Sequence, residues 1–425
     1  MLILFLVSLF TLVFLNVPIA FALVITAIIL MFTMDSFSAA LLIQNMVRGV
    51  DSFPLMAIPF FILSGEIMSY GGISSRLVKF AESILSFVKG GLGYATVLAC
   101  MIFAGVSGSA VADTSAIGAM VYPMMKNRYN PDKSAALFTA AGCIGPIIPP
   151  SIPMIIYGVI ANVSIVKLFL GGIIPGVMIG LGLMIGWYFH SKKMNYISEE
   201  KFSLKKVLKS TIDSIWALIL PGIILGGIVF GVFTPTEAGV IAVVYSFIAS
   251  FFIYKELKLK DLPKILAHSS RTTAVVLLIV GAATAVGYFI TTAQIPRMLM
   301  DTLSVISGGN KILLMFYVNI LLLLVGCVMD LTPALLILTP ILLPVILKFG
   351  IDPIYFGVVM IVNLCIGLIT PPVGTVLFVG CGVSKIPMGR LAKAITVNIL
   401  IMVITLFLIT YVPNLVTFIP NLVKR

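Results

Sequence analysis

An all-helical, multi-pass membrane protein built from two related halves is the fold class that this sequence predicts, and three observations predict it. First, 60% of the 425 residues are hydrophobic and only 10% are charged. Mean hydropathy is +1.21, a composition of polytopic membrane chains and not of soluble domains. Second, the formal charge of +12 sits in short loops between apolar stretches. That pattern predicts cytoplasmic loops rather than nucleic-acid binding. Third, CIGPIIPP (Cys143 to Pro150) and CIGLITPP (Cys365 to Pro372) agree at six of eight positions when Cys143 is laid on Cys365. Continued without a gap, the same register lays Gly158 on Gly380.

The apolar windows allow roughly eleven to thirteen membrane-entering segments at about 20 residues per crossing. The first run, from MLILFLVSLF to about Met34, has no basic leader and predicts a retained span rather than a cleaved signal. From Ile73 to Lys89, Arg76, Lys79, Glu82 and Lys89 interleave with Leu77, Val78, Phe80, Ile84 and Phe87. This predicts an amphipathic helix lying in the interface or against a partner. GVSGSAVAD (Gly105 to Asp113), with Pro123 ten residues on, predicts a first interrupted helix over 103–125. Lys126, Arg128 and Lys133 form a cytoplasmic loop before the first GxxxPP segment, read as a re-entrant hairpin over 142–158.

The polar stretch 191–210 divides the chain into a first half, 1–190, and a second, 211–425. Two apolar runs, 215–232 and 238–254, lead to a second basic loop, Lys255 to Arg271. The nearly neutral loop around Arg297, Asp301 and Lys311 is placed outside. A second interrupted helix is expected over 326–346, with Asp330 and Pro340, and a second hairpin over 364–380. The two halves are expected to be inverted across the membrane.

Proline removes an amide donor and clashes with the preceding turn, and glycine adds backbone freedom. Hydrocarbon leaves the freed carbonyls unsatisfied, so such a break persists only where protein, water or an ion satisfies them. A packed kink without ligand is the alternative; the duplication favours a site. Bare carbonyls at 145–148 and 367–370 offer hard oxygens to an alkali cation, and half-helix N-termini offer amides to a carboxylate. Ser107 and Ser109 either pack helices closely or add hydroxyls to a cation cage. Gly326, Thr332 and Thr370 hold the equivalent places in the second half. Asp113, Asp330, Glu66 and Glu237 are carboxylates in or at the edge of apolar runs. Glu237 fits a helix cap with Thr234 or Thr236.

Five cysteines, all in apolar segments, form no metal-binding pattern and are expected as buried small side chains. No Ser/His/Asp set, HExxH or Walker loop is present, which argues against an embedded hydrolase or an ATPase. No enzymatic activity is expected, and an ion gradient is the expected energy source.

Several long motifs in order carry a resemblance. SFPLMAIPFFILSGEIM (52–68), GGISSRLVKFA (71–81), FAGVSGSAVADTSAIG (103–118), IGPIIPPSIPMIIYG (144–158), FTPTEAG (233–239) and NLCIGLITPPVGTVLFV (363–379) run through nearly the whole chain. In these the sequence resembles the large membrane subunit of tripartite ATP-independent periplasmic (TRAP) transporters, a family of elevator-type Na+-coupled importers of organic acids. The resemblance implies one Na+ site near Ser107, Ser109, Gly145, Ile148 and Pro150. It implies a second near Gly326, Thr332, Gly367, Thr370 and Pro372, with Asp330 close by. Ser151 and Thr375 become substrate contacts, and Asp113 joins Asp330 as a coupling residue. Pro146 is matched by Leu368 and Ile148 by Thr370, so the two sites are not equivalent.

It further implies a soluble periplasmic binding protein, a small four-helix membrane subunit expected as a separate chain, and a bacterial inner-membrane location. Sialic acid and C4-dicarboxylates are both candidate substrates, with sialic acid favoured on overall likeness. A binding-protein-independent Na+/carboxylate symporter, a non-transporting scaffold and a cation/proton antiporter are the rival readings.

Overall fold

The computed structural model describes residues 1–35, 37–198 and 202–423. Among the described residues the chain is helical and contains no strand. The helices are α1 (Leu2–Phe14), α2 (Ile19–Thr33), α3 (Ala39–Val50), α4 (Ala57–Tyr70), α5 (Ile73–Leu85), α6 (Gly91–Ser107), α7 (Ala110–Met125), α8 (Pro131–Gly142), α9 (Ile152–Ile160) and α10 (Ile165–Lys193). They continue as α11 (Leu204–Val229), α12 (Pro235–Ile248), α13 (Leu262–Thr292), α14 (Ile295–Ser307), α15 (Lys311–Gly326), α16 (Leu331–Lys348), α17 (Pro353–Gly367), α18 (Thr375–Ser384), α19 (Met388–Tyr411) and α20 (Asn414–Leu422). Among the described residues, seven helical stretches are long and apolar enough to cross a membrane, and six shorter apolar helices accompany them.

Side-chain caps set many of the starts. Asn130, Ser109, Ser151, Ser164, Ser203 and Asp352 each accept an amide from the first turn of the following helix. Thr234 and Glu237 form a reciprocal capping box on α12, as the sequence predicts. The polar stretch 191–210 is mostly helix ends. Ser191 to Lys193 finish α10, and Lys205, Lys206 and Lys209 sit on α11. Glu199, Glu200 and Lys201, part of the expected linker, lie outside the described residues. Lys264, His268 and Arg271, expected in a loop, are on α13.

The amphipathic stretch after Ile73 forms α5. At 13 residues it is about 20 Å long, short of the roughly 30 Å hydrocarbon core. It buries Ile73, Leu77, Val78 and Ala81 against α6 and α11. The region around Arg297 and Asp301, read as a loop, is instead α14, a second amphipathic helix of 13 residues. The register that aligns the octapeptides also lays Ile73 on Ile295 and Leu85 on Ser307, so α5 and α14 share both ends. In the same register Pro131 falls on Pro353, the first residues of α8 and α17.

Two packed groups result. One comprises α1 to α4 with α11 to α13. The other comprises α6 to α10 with α15 to α20. The helices α5 and α14 connect them. Both groups draw on both halves of the sequence, so residues 1–190 and 211–425 interlock.

Candidate functional site

Four chain breaks meet inside the second group. Between α6 and α7, Gly108 has a φ of 60° and turns the chain back. The outer ends of these helices come together. Thr96 on α6 meets Met125 on α7 (Oγ1 to Sδ, 3.4 Å), and Trp187 touches both Gly90 (Nε1 to O, 2.8 Å) and the Tyr129 ring. So α6 and α7 form a re-entrant hairpin with its tip at Ser107–Ser109.

The GPIIPP break behaves differently. The start of α8 lies beside the Lys193 end of α10, where the Asn130 amide donates to Tyr196 Oη at 2.9 Å. The end of α9 leads within five residues into the Ile165 end of the same helix. The 29 residues of α10 hold these ends about 43 Å apart. Thus α8 and α9 form one broken crossing, with Cys143 to Ser151 as its unwound middle.

The second half repeats both elements. Lys311 lies beside Gly350 at the outer ends of α15 and α16, which form the second hairpin. Tyr355 near the start of α17 donates to the Thr410 carbonyl at one end of α19, while α18 leads into the other end, so α17 and α18 are a broken crossing. Tyr157 on α9 donates to the Pro353 carbonyl (2.7 Å), so the second hairpin enters from the end opposite the first.

The segments expected as interrupted helices, 103–125 and 326–346, are therefore the hairpins. Those expected as hairpins, 142–158 and 364–380, are the interrupted crossings. A proline–glycine break frees backbone groups but does not choose the direction of the next half-helix; packing does. Pro123 and Pro340, read as marking interruptions, lie inside α7 and α16.

At the first pair of breaks, Ser107 Oγ donates to Asp113 Oδ1. Asp113 is fully buried, and its Oδ2 has no hydrogen-bond partner. Gly145 sits against that carboxylate and against Ser109, whose hydroxyl caps α7. Pro150 presents its carbonyl to Gly108. Ser151 is fully buried; its hydroxyl donates to Pro146 O and accepts the Met154 amide (3.3 Å).

At the second pair, Gly326 and Gly367 pack backbone to backbone, and the Val373 amide bonds Cys327 O at 3.2 Å. Thr375 Oγ1 donates to Asp330 Oδ1 at 2.9 Å, and Thr370 Oγ1 to Ile366 O at 2.7 Å. The Pro149–Pro150 and Pro371–Pro372 bonds are both cis. The first proline pair is buried and the second exposed.

Among the described residues, no hydrogen bond ends on the carbonyls of Gly145, Ile148, Pro150, Thr370 or Pro372. Bare carbonyls beside serine and threonine hydroxyls make a hard, weakly charged oxygen set. Such a set suits an alkali cation rather than a transition metal, and no cluster of three His, Cys, Asp or Glu residues occurs among the described residues. All five cysteines are free, three of them buried.

One cavity of about 660 Å³ touches all four breaks. Its wall includes Ser107 and Ser109 from the first hairpin, Asp330 and Thr332 from the second, and Pro146 and Leu368 from the two crossings. These last two occupy the same place in the duplicated octapeptide. Gly145, Ile148, Pro150, Ser151, Gly326, Gly367, Thr370, Pro372, Thr375 and Asp113 lie outside the cavity lining.

The remaining wall belongs to α4 and α13. Glu66 Oε1 and His268 Nδ1 meet there at 3.0 Å, with Ser69 and Thr272 beside them. Sequence reasoning singled out Glu66 but not His268, Ser69 or Thr272. The available signal was polar residues at helical spacing inside apolar runs, Glu66 and Ser69 on α4 and His268 and Thr272 on α13.

Comparison with known proteins places this architecture. A solved structure described as the Alcanivorax borkumensis YdaH transporter, reported to have an unusual topology, matches with a TM-score of 0.62 at 15% identity, over 87% of this chain and 86% of that one. That likeness speaks to fold alone. The 2,3-diketo-L-gulonate TRAP transporter large permease protein of Escherichia coli is 44% identical, covering 94% of each chain. The sialic acid TRAP transporter large permease protein of Vibrio cholerae is 38% identical, over 95% of this chain and 94% of the relative. The C4-dicarboxylate TRAP transporter large permease protein of Pseudomonas aeruginosa is also 38% identical, over 91% and 90%. Likeness therefore does not favour sialic acid over C4-dicarboxylates. The family described as tripartite ATP-independent periplasmic transporter, DctM component, matches residues 6–415, and the chain belongs to it.

Proposed function

We propose that this chain is the large permease subunit of a Na+-coupled importer of a carboxylated organic solute, fed by a soluble periplasmic binding protein and paired with a small four-helix membrane subunit. The observation that carries the reading is the cavity onto which four breaks converge, with unpaired carbonyls behind its wall. In this reading Gly145, Ile148 and Pro150, with Ser107 and Ser109, hold one sodium ion. Thr370 and Pro372, with Gly326, Gly367 and Thr332, hold a second. Sodium orders the unwound segments, and the ordered half-helix ends then receive the substrate carboxylate. Ser151 and Thr375 act one step back, through Pro146 and Asp330, rather than by touching solute.

The chain is a multi-pass protein of the bacterial inner membrane. Lys192, Lys193, Lys205, Lys206, Lys209, Lys258, Lys260, Lys264 and Arg390 gather at one end of the bundle, which the positive-inside rule makes cytoplasmic. His268 lies toward that end of α13, so the cavity opens inward. Alternating access then moves the group holding the breaks along the wall formed by α4 and α13 in an elevator motion, with α5 and α14 as its arms.

The test is uptake into proteoliposomes carrying both membrane subunits, with 2,3-diketo-L-gulonate, sialic acid and succinate each presented by its binding protein. Uptake driven by an inward Na+ gradient and absent in K+ supports the reading. Solute uptake indifferent to Na+, or pH-driven Na+ flux without solute, overturns it.

A further inference from the structure

A second cavity, of about 470 Å³, lies at the opposite end of α13. Its polar wall is Asn45, Arg48 and Ser52 from the α3 region with Thr284, Tyr288 and Thr291 from α13, and α9 and α16 close the other side. The two cavities are related position by position. Ile62, Gly65, Glu66 and Ser69 line the first, and Thr284, Gly287, Tyr288 and Thr291, their counterparts in the octapeptide register, line the second. Each cavity thus sets one copy of the same helix face against the group that carries the breaks.

Their charge differs. The first presents Glu66 and Asp330. In the second, Arg48 is the charged residue lining the wall, and it makes no ion pair or hydrogen bond among the described residues. A guanidinium amid amide and hydroxyl groups, unanswered by any carboxylate among the described residues, is a receptor for a carboxylate.

We infer that this second cavity is an outer vestibule in which Arg48 receives the carboxylate of the organic anion before the moving group takes it up. The inference rests on the proposed transport reading, which fixes the outer side. Anionic lipid headgroups share the same chemistry, and the test separates them.

Thr291→Cys, and separately Ser52→Cys, are introduced into the full complex in spheroplasts, with the unmodified chain as background. Labelling rates are measured with membrane-impermeant anionic and cationic methanethiosulfonates. The expected result is an anionic preference of about fivefold, the order expected for one unscreened charge nearby. It is lost in the Arg48→Gln background and kept in Arg48→Lys. Millimolar gluconate should slow labelling, and equimolar glucose should not. The preference should be the same in phosphatidylcholine vesicles with and without phosphatidylglycerol.

Labelling only from the inner face, an anionic preference that survives Arg48→Gln, equal effects of gluconate and glucose, or a preference abolished by phosphatidylglycerol would each overturn the vestibule. None of these readouts depends on Na+-driven uptake, so failure of the vestibule and failure of the transport reading are separable.

Discussion

Asp330 immediately precedes α16, and Thr375, at the start of α18, donates to it across the gap between hairpin and crossing. Removing the carboxylate takes away the one charge that the second hairpin contributes to the cavity wall. Asp330→Ala is expected to bring Na+-dependent uptake to background while the two membrane subunits still co-purify. Ser109→Ala should do the same at the first site, because it deletes the hydroxyl that caps α7 at the hairpin tip packed against Gly145; wild-type rates in either variant would refute the assignment. Gly367 makes a purely steric prediction. An added Cβ would meet the Gly326 carbonyl carbon at 2.5 Å, backbone that has no room to yield. Gly367→Ala should cost at least the roughly 1–3 kcal/mol typical of overpacking and lower the melting temperature in detergent. Gly222→Ala, with nothing within 4 Å, should not.

At the scale of elements, caps and buried polar links hold the half-helices in place. Asp352 accepts the Ile354 and Tyr355 amides at 2.6 and 3.0 Å, so Asp352→Ala should destabilise α17 by about 1 kcal/mol. The expected readout is a lower melting temperature with an unchanged Na+ concentration dependence, since the cap is remote from the breaks. Asn319, Asn363 and Thr410 tie α15, α17 and α19 together through bonds of 2.8 and 3.0 Å, all buried. Asn319→Ala leaves Asn363 short of a partner and should cost about 1–3 kcal/mol, read as loss of folded protein on heating. Most elements were legible from hydropathy and capping residues. The start of α13 and the whole of α14 were not. In α14 the charges of Arg297 and Asp301 cancel, which made an amphipathic helix look like a neutral loop.

At the scale of the whole molecule, sidedness and coupling are the measurable properties. Ser115, on the cavity wall, changed to cysteine should react with impermeant reagents from the cytoplasmic face, and Na+ should slow that reaction by ordering the breaks. Coupling is reciprocal, so whatever factor Na+ adds to anion affinity, the anion must return to Na+ affinity, within the usual range of roughly 5–150-fold. Titrating each ligand at fixed levels of the other checks this.

The sequence by itself determined the membrane class, the helical content, the family and the four places where helices break. Hydropathy, proline and glycine act locally, so their consequences are written in the residues that carry them. Which breaks turn the chain back and which let it cross was decided only by tertiary structure. Gly108 reverses α6 onto α7, whereas the unwound run from Cys143 to Ser151 carries the chain on to the far end of α10. A broken helix has lost the hydrogen bonds that would fix its onward direction, and packing against distant helices supplies it instead. The same holds for the cavity wall, where Glu66 and His268 belong to opposite halves of the sequence and meet only because α4 packs on α13.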